Sequence, residues 1–311
     1  MSSLKFHWFL PTNGGDSRNV VGGGHGVAAE AAGRPASVQY LGQIARSAEQ
    51  LGFEAALTPT GAWCEDAWVS TAMISSLSER LKFLVAFRPG MTAPFLAAQM
   101  AGTFQNLSGG RLLLNVVTGG EDAEQRMFGD FLDKKQRYAR ADEFLEIVRR
   151  LWTGDVVNFD GEYYHTQGAY MYDIPEQPIP VYVAAGGPVV ARYAGRSGDG
   201  FICTSGKGPE LYTEKLIPAV KEGAEKVGRE YDEIDRMIEI KISYDPDPEL
   251  ALENTRFWAP RAIVATRKSL HAFVKYVIRA RQRRLTAYGG WLLYHIESRT
   301  LFRPRPGAQA P

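Results

Sequence analysis

What most constrains the fold of this chain is a phrase that recurs along it. A short apolar run is followed by a turn of Gly, Pro or Thr, and then by a helical pattern. Seven apolar runs fit, at residues 6–10, 53–57, 81–87, 112–117, 181–185, 200–204 and 238–244. Most are nearly continuous in hydrophobicity, which is how strands of a parallel sheet read when helices cover them. Helical spacing fills residues 38–51, 66–77, 94–107, 135–152 and 209–227, with a shorter helix after Pro188. Pro94 opens one helix where its missing N–H costs nothing, and Gly52 and Ser108-Gly109-Gly110 close others. Seven such units favour a (β/α)8 barrel over a doubly wound sheet. The eighth unit does not follow the rhythm; the only strand-like run left is Trp291-Leu292-Leu293-Tyr294.

Two stretches interrupt the pattern. Residues 12–35 form a Gly- and Ala-rich loop centred on Gly22-Gly23-Gly24-His25-Gly26, long enough to be a lid. It lacks the Lys-Ser/Thr of a P-loop and the spacing of a dinucleotide fingerprint. Residues 153–180 are rich in Tyr and Gly and read as an excursion with a small hairpin.

Composition narrows the setting. The chain is 45% hydrophobic and 23% charged, as globular proteins are. Its two cysteines, Cys64 and Cys203, make no disulfide framework, which points to a reducing compartment and the cytoplasm. No apolar run approaches the roughly 20 residues of a membrane span, and residues 1–5 lack a signal-peptide core. The net charge of +1 hides an asymmetry: residues 261–311 hold eleven Lys/Arg and one acid, Glu297, against 25 bases and 34 acids before them. The chain therefore divides into a barrel domain, residues 1–260, and a basic C-terminal segment, residues 261–311. A shifted reading frame in a GC-rich gene would give the composition of that segment, and the barrel would then be open between its first and seventh strands. Such a tail supports only nonspecific polyanion binding.

In a barrel the turns after the strands gather at one mouth. Here they supply Thr12, the stretch Thr58-Pro59-Thr60-Gly61-Ala62-Trp63-Cys64-Glu65-Asp66, Arg88, Thr118-Gly119-Gly120-Glu121, Gly186-Gly187 and Thr204-Ser205-Gly206-Lys207. Glycines let a backbone come close to a ligand, and helix starts can hold phosphate. This suits a cofactor pocket better than a self-sufficient hydrolytic site. The five histidines are scattered with no metal-binding spacing. No base accompanies Cys64 in sequence, so it is read either as a small buried hydrophobe or as a thiol lining the pocket. Glu65, Asp66, Glu121 and Asp122 are simplest as first-turn carboxylates favoured by the helix dipole.

These residues resemble the luciferase-like superfamily of flavin and deazaflavin oxidoreductases, which are (β/α)8 barrels. Phe9-Leu10-Pro11-Thr12, Cys64-Glu65-Asp66-Ala67-Trp68 and Asn115-Val116-Val117-Thr118-Gly119 are similar to alkanesulfonate monooxygenases that use reduced FMN. The resemblance implies Cys64 beside the flavin as the catalytic candidate. It implies cofactor contacts from Thr60, Thr118, Gly119, Tyr138, Gly186 and Gly187. It also implies a small organic substrate, O2, a separate flavin reductase, a homo-oligomer, and no membrane or specific nucleic-acid partner.

Residues 153–260 resemble another branch, glucose-6-phosphate dehydrogenases dependent on the deazaflavin coenzyme F-420. The matching runs are Ala184-Ala185-Gly186-Gly187-Pro188, Ser205-Gly206-Lys207-Gly208 and Ile238-Glu239-Ile240-Lys241-Ile242. There the resemblance implies a sugar-phosphate site at Thr204 and Lys207. The dehydrogenases carry an Asp-His pair after the second strand, where this chain has Thr58-Pro59-Thr60-Gly61. That difference tips the expectation toward a reduced-FMN monooxygenase of an alkanesulfonate-like substrate, with the coenzyme F-420 dehydrogenase as the alternative and an inactive barrel as a third reading.

Overall fold

The computed structural model describes residues 5–14, 35–203, 210–242, 247, 249–250 and 290–295. Seven parallel strands carry the architecture: β1 (Lys5–Phe9), β2 (Ala55–Thr58), β3 (Lys82–Phe87), β4 (Leu112–Val116), β7 (Val181–Ala185), β8 (Gly200–Cys203) and β9 (Asp235–Ile242). With β10 (Gly290–His295) they close a barrel in the order β1, β10, β9, β8, β7, β4, β3, β2. Between the strands lie α1 (Val38–Gln50), α2 (Ala67–Ser75), α3 (Pro94–Ser108), α4 (Asp122–Met127), α5 (Lys134–Trp152), α6 (Pro188–Ser197) and α7 (Ile217–Glu225). The excursion is the hairpin of β5 (Val157–Asp160) and β6 (His165–Ala169).

The strands bury both faces, and a period of two divides their residues. Ala55, Leu57, Leu84, Leu113, Tyr182, Ile202 and Met237 cluster as the barrel interior. Their neighbours Ala56, Phe83, Val85, Leu112, Leu114, Val183 and Phe201 belong to the larger core beneath the helices. That double burial is why the runs read as continuously apolar.

The eighth position departs from a regular barrel. β10 pairs antiparallel to both β1 and β9, with Lys5 opposite His295 and Ile242 opposite Gly290. The barrel is therefore closed between its first and seventh strands, which corrects the expectation of an opening there. Unpaired N–H and C=O groups on two facing edges make a template that a Trp-Leu-Leu-Tyr run, strong in strand propensity, fills in either direction. The rest of the basic segment 261–311 and the glycine run 22–26 lie outside the described residues.

Two local differences have plain causes. The helix expected over 209–227 begins with a π-helical turn, Leu211–Leu216, ahead of α7. Pro218 has no N–H to give and crowds the carbonyl four residues before it, so the turn widens. The other is α4, six residues in a stretch expected to be a turn.

Candidate functional site

The C-terminal ends of β1 to β4 and β7 bring their turns to one mouth. The second turn leaves β2 at Thr58, whose buried hydroxyl accepts a 2.8 Å hydrogen bond from Thr71 on α2. Its far end is fixed by Asp66, the N-cap of α2, which accepts from Val69 N–H at 2.8 Å. Between these anchors the Cys64 thiol, half-buried, points at the Pro59 and Gly61 carbonyls at 3.7 and 3.6 Å. Burial pushes this thiol up to about 11, against the nearby Thr12 hydroxyl and Arg88 charge. A nucleophilic cysteine needs the opposite environment, so Cys64 is a neutral thiol packed against its own turn at neutral pH. Trp68 faces Phe87 in the core, and Trp63 stacks over Gly61, where an added Cβ would meet its indole nitrogen at 2.3 Å.

Thr60 is joined to the third turn, since Arg88 Nη2 reaches its carbonyl at 3.5 Å. The same nitrogen forms a 2.8 Å ion pair with Glu124 of α4, and Ala62 N–H donates to the other Glu124 oxygen at 2.9 Å. Glu124 was not singled out by the sequence reading. A six-residue helix falls below the window in which helical spacing can be recognised.

The fourth turn holds Thr118 and Gly119. Gly119 has φ +86°, and an added Cβ would meet the buried Gln125 side chain at 2.3 Å, so the position admits only glycine on both counts. Thr118 is buried and hydrogen-bonds Tyr138 on α5. Tyr138 in turn packs against Tyr193 of α6, ring centroids 5.2 Å apart. Burial raises both phenols, so they stay neutral, and the buried Tyr193 hydroxyl has no hydrogen-bond partner among the described residues. Helix α5 is set in place by a capping box, Asp133 with Gln136, and by Arg137, which donates to the Leu132 carbonyl at 2.7 Å and to Asp122 at 2.9 Å.

Gly187 is the N-cap of α6, with Pro188 at the first helical position and no side-chain cap. A Cβ at Gly187 or at Gly120 would meet nothing within 4 Å. Open space over two glycine turns and an uncapped helix start fit a large ligand carrying a phosphate. Asn115 Oδ1, buried at the end of β4, has no hydrogen-bond partner among the described residues. The structure thus brings Thr60, Cys64, Thr118, Gly119, Tyr138, Gly186 and Gly187 to one end of the barrel. Thr204 and Lys207 lie outside the described residues, as does the Lys241 side chain. Among the described residues no group of three or more His, Cys, Asp or Glu could hold a metal, and no helix is long and apolar enough to cross a membrane.

Beside the mouth, the 162–164 bend of the hairpin is bound to α5. The Glu143 carboxylate accepts the N–H groups of Glu162, Tyr163 and Tyr164 at 2.8, 2.9 and 3.1 Å. Between this bend and the third turn lies a cavity of about 580 Å³ edged by Gly90, Gln136, Arg140 and Tyr164.

Comparison with known proteins places this geometry. A coenzyme F-420-dependent glucose-6-phosphate dehydrogenase of Gordonia bronchialis is 59% identical over 206 residues, 64% of this chain and 61% of the relative. The Mycolicibacterium smegmatis enzyme of the same name is 56% identical over the same length and shares. The chain thus spans about three-fifths of the length of these relatives. Among solved structures, an F-420-dependent secondary alcohol dehydrogenase aligns with a TM-score of 0.65 at 24% identity, covering 81% of this chain and 82% of that one. A long-chain alkane monooxygenase aligns at 0.68 and 19%, covering 83% and 70%; both show the fold alone.

These relatives overturn the expectation of reduced FMN and of an alkanesulfonate-type monooxygenase. That expectation rested on the likeness of residues 4–152 to the reduced-FMN monooxygenases, tipped by one turn that lacks an Asp-His pair. The relatives named for coenzyme F-420 match over 206 residues at 56–59% identity. O2 and a separate flavin reductase were expected only under the FMN reading. Residues 4–302 match the family described as luciferase-like monooxygenase, and the chain belongs to that family.

Proposed function

We propose that this chain is a coenzyme F-420-dependent oxidoreductase that oxidises a sugar phosphate of the glucose 6-phosphate type. The observation that carries the reading is the 59% identity over 206 residues to a dehydrogenase of that name. The mouth supports it. Thr118, Gly119 and Tyr138 on one side and Gly186 and Gly187 on the other would hold the coenzyme, its phosphate near the start of α6. When bound, the deazaflavin ring supplies the carbon that takes up a hydride from the sugar. The turn after β2 would back the ring with Thr60 and the neutral Cys64 thiol, which keeps negative charge away from a ring that gains electrons. Thr204 and Lys207, in the Ser-Gly-Lys-Gly turn after β8, would hold the substrate phosphate, a point charge meeting a dianion. The proposed partner is thus a small-molecule substrate, and a homo-oligomer is the proposed assembly.

The test is a titration of the purified protein with coenzyme F-420 and with FMN, oxidised and reduced, followed by absorbance and fluorescence. The deazaflavin should bind in the micromolar range and lose its long-wavelength absorbance on addition of glucose 6-phosphate. Binding of FMN alone, or of neither, would sink the reading.

A further inference from the structure

Glu124 stands where three mouth turns meet. One carboxylate oxygen holds Ala62 N–H of the second turn at 2.9 Å, and the other holds Arg88 of the third at 2.8 Å. Arg88 also reaches the Thr60 carbonyl at 3.5 Å. Their side chains are 13% and 5% exposed. The ring of Phe128, from the end of α4, lies 5.1 Å from the guanidinium carbon and helps to shield the pair from water. The turn is held from outside as well as from within. Within it the Cys64 N–H reaches the Gly61 carbonyl at 3.5 Å, and the Glu65 N–H donates to the Thr12 carbonyl of β1's turn at 3.0 Å. Among the groups that grip it, the Arg88–Glu124 ion pair reaches it from two other turns, and in such desolvated surroundings attraction is strongest.

We infer that Arg88 and Glu124 are positioning residues of the site: as a pair they fix the 60–64 turn in the shape that forms one wall of the cofactor pocket. The inference rests on the reading that the mouth holds the deazaflavin. Neither side chain is assigned a contact with the coenzyme; both act through the backbone at Thr60 and Ala62. It also gives α4 a purpose. The barrel rhythm does not require this helix, and the carboxylate it carries joins the turns of β2 and β3.

The experiment compares the Cys203→Ala parent with Glu124→Gln and with the double variant Arg88→Met/Glu124→Leu in the same background. Removing both charges together avoids a buried unpaired ion, so the double variant keeps its fold. Glu124→Gln provides a second, near-isosteric route to the same readouts. The first readout is the rate of Cys64 alkylation by iodoacetamide, and the second is the Kd for coenzyme F-420. With far-UV spectra unchanged in both variants and melting unchanged in the double variant, alkylation should rise about tenfold as the thiol escapes its burial. The coenzyme should bind about tenfold more weakly as the wall loses its preorganisation. Wild-type alkylation rates in both variants would overturn the inference, as would faster alkylation with an unchanged Kd. A parent that fails to bind coenzyme F-420 while its thiol still responds to the substitutions would instead overturn the proposed cofactor and leave the turn-fixing role standing.

Discussion

Arg140 grips Asp130 with both ends of its guanidinium, at 2.6 and 3.3 Å, and the two side chains are 13% and 3% exposed. The same Arg140 donates to the Pro89 carbonyl at 3.0 Å. Gly90 lies directly beneath: a Cβ there would meet the guanidinium carbon at 2.1 Å, at φ +104°. α5, the loop before it and the third turn are thus joined at one point. Asp130→Ala would leave a buried cation without its partner and should cost about 3–5 kcal/mol. Urea denaturation reads this directly; a shift under about 1 kcal/mol would show that the pair is solvated and weak.

The Cys64 thiol gives the protein an alkaline weakness. In the folded state it titrates at about 11, whereas the ordinary thiol value is 9.0. The folded chain keeps its proton across that interval and the unfolded chain loses it, so stability falls as pH rises from about 9 to about 11. Cys64→Ser should flatten that part of the pH–stability curve. Melting followed from pH 8 to 11 makes the comparison, and identical curves for the two proteins would refute it.

Helices α6 and α7 touch through glycine. A Cβ on Gly195 would lie 2.1 Å from the Val220 carbonyl oxygen, and one on Gly223 would lie 2.1 Å from the Arg192 carbonyl oxygen. Both obstacles are backbone and cannot swing aside. Gly195→Ala and Gly223→Ala should each cost about 1–3 kcal/mol through overpacking. Gly187→Ala, where a Cβ meets nothing within 4 Å, should leave stability nearly unchanged and weaken cofactor binding instead.

The proposed chemistry separates in kinetics. Lys207→Ala should raise KM for glucose 6-phosphate by about tenfold or more, the loss expected for a charge-assisted contact, with the deazaflavin Kd unchanged. Tyr138→Phe should do the reverse, because its hydroxyl, bonded to Thr118, sits on the cofactor side of the mouth. Steady-state rates at varied concentrations of each partner distinguish the two, and a mixed effect from both substitutions would place them on one surface.

What could be read from the sequence follows from range. The strands were legible because both faces of each are buried, so hydrophobicity alone marks them. Asp66 was legible as a helix-start carboxylate because an N-cap bond spans three residues. The gathering of Thr60, Thr118 and Gly186 followed from the barrel rule that turns after strands share a mouth. The Arg88–Glu124 pair was not legible, since 36 residues separate its members and nothing local marks either. The direction of β10 was not legible either, because a period of two is the same read forwards or backwards. The cofactor was misread because two stretches of the chain resembled different branches of the family, and the missing Asp-His pair in one turn was allowed to decide between them.

The reversed eighth strand changes how this barrel could be recut. In a regular (β/α)8 barrel a helix after the last strand carries the chain back to the rim where the first strand starts. Here Lys5 and His295 are register partners across an antiparallel pair, about 5 Å apart between Cα atoms. A two-residue hairpin would connect them, and new ends could be opened in the exposed loop at Gly154. Circular permutation is here a matter of one tight turn at the rim opposite the site, with no closing helix in the joint.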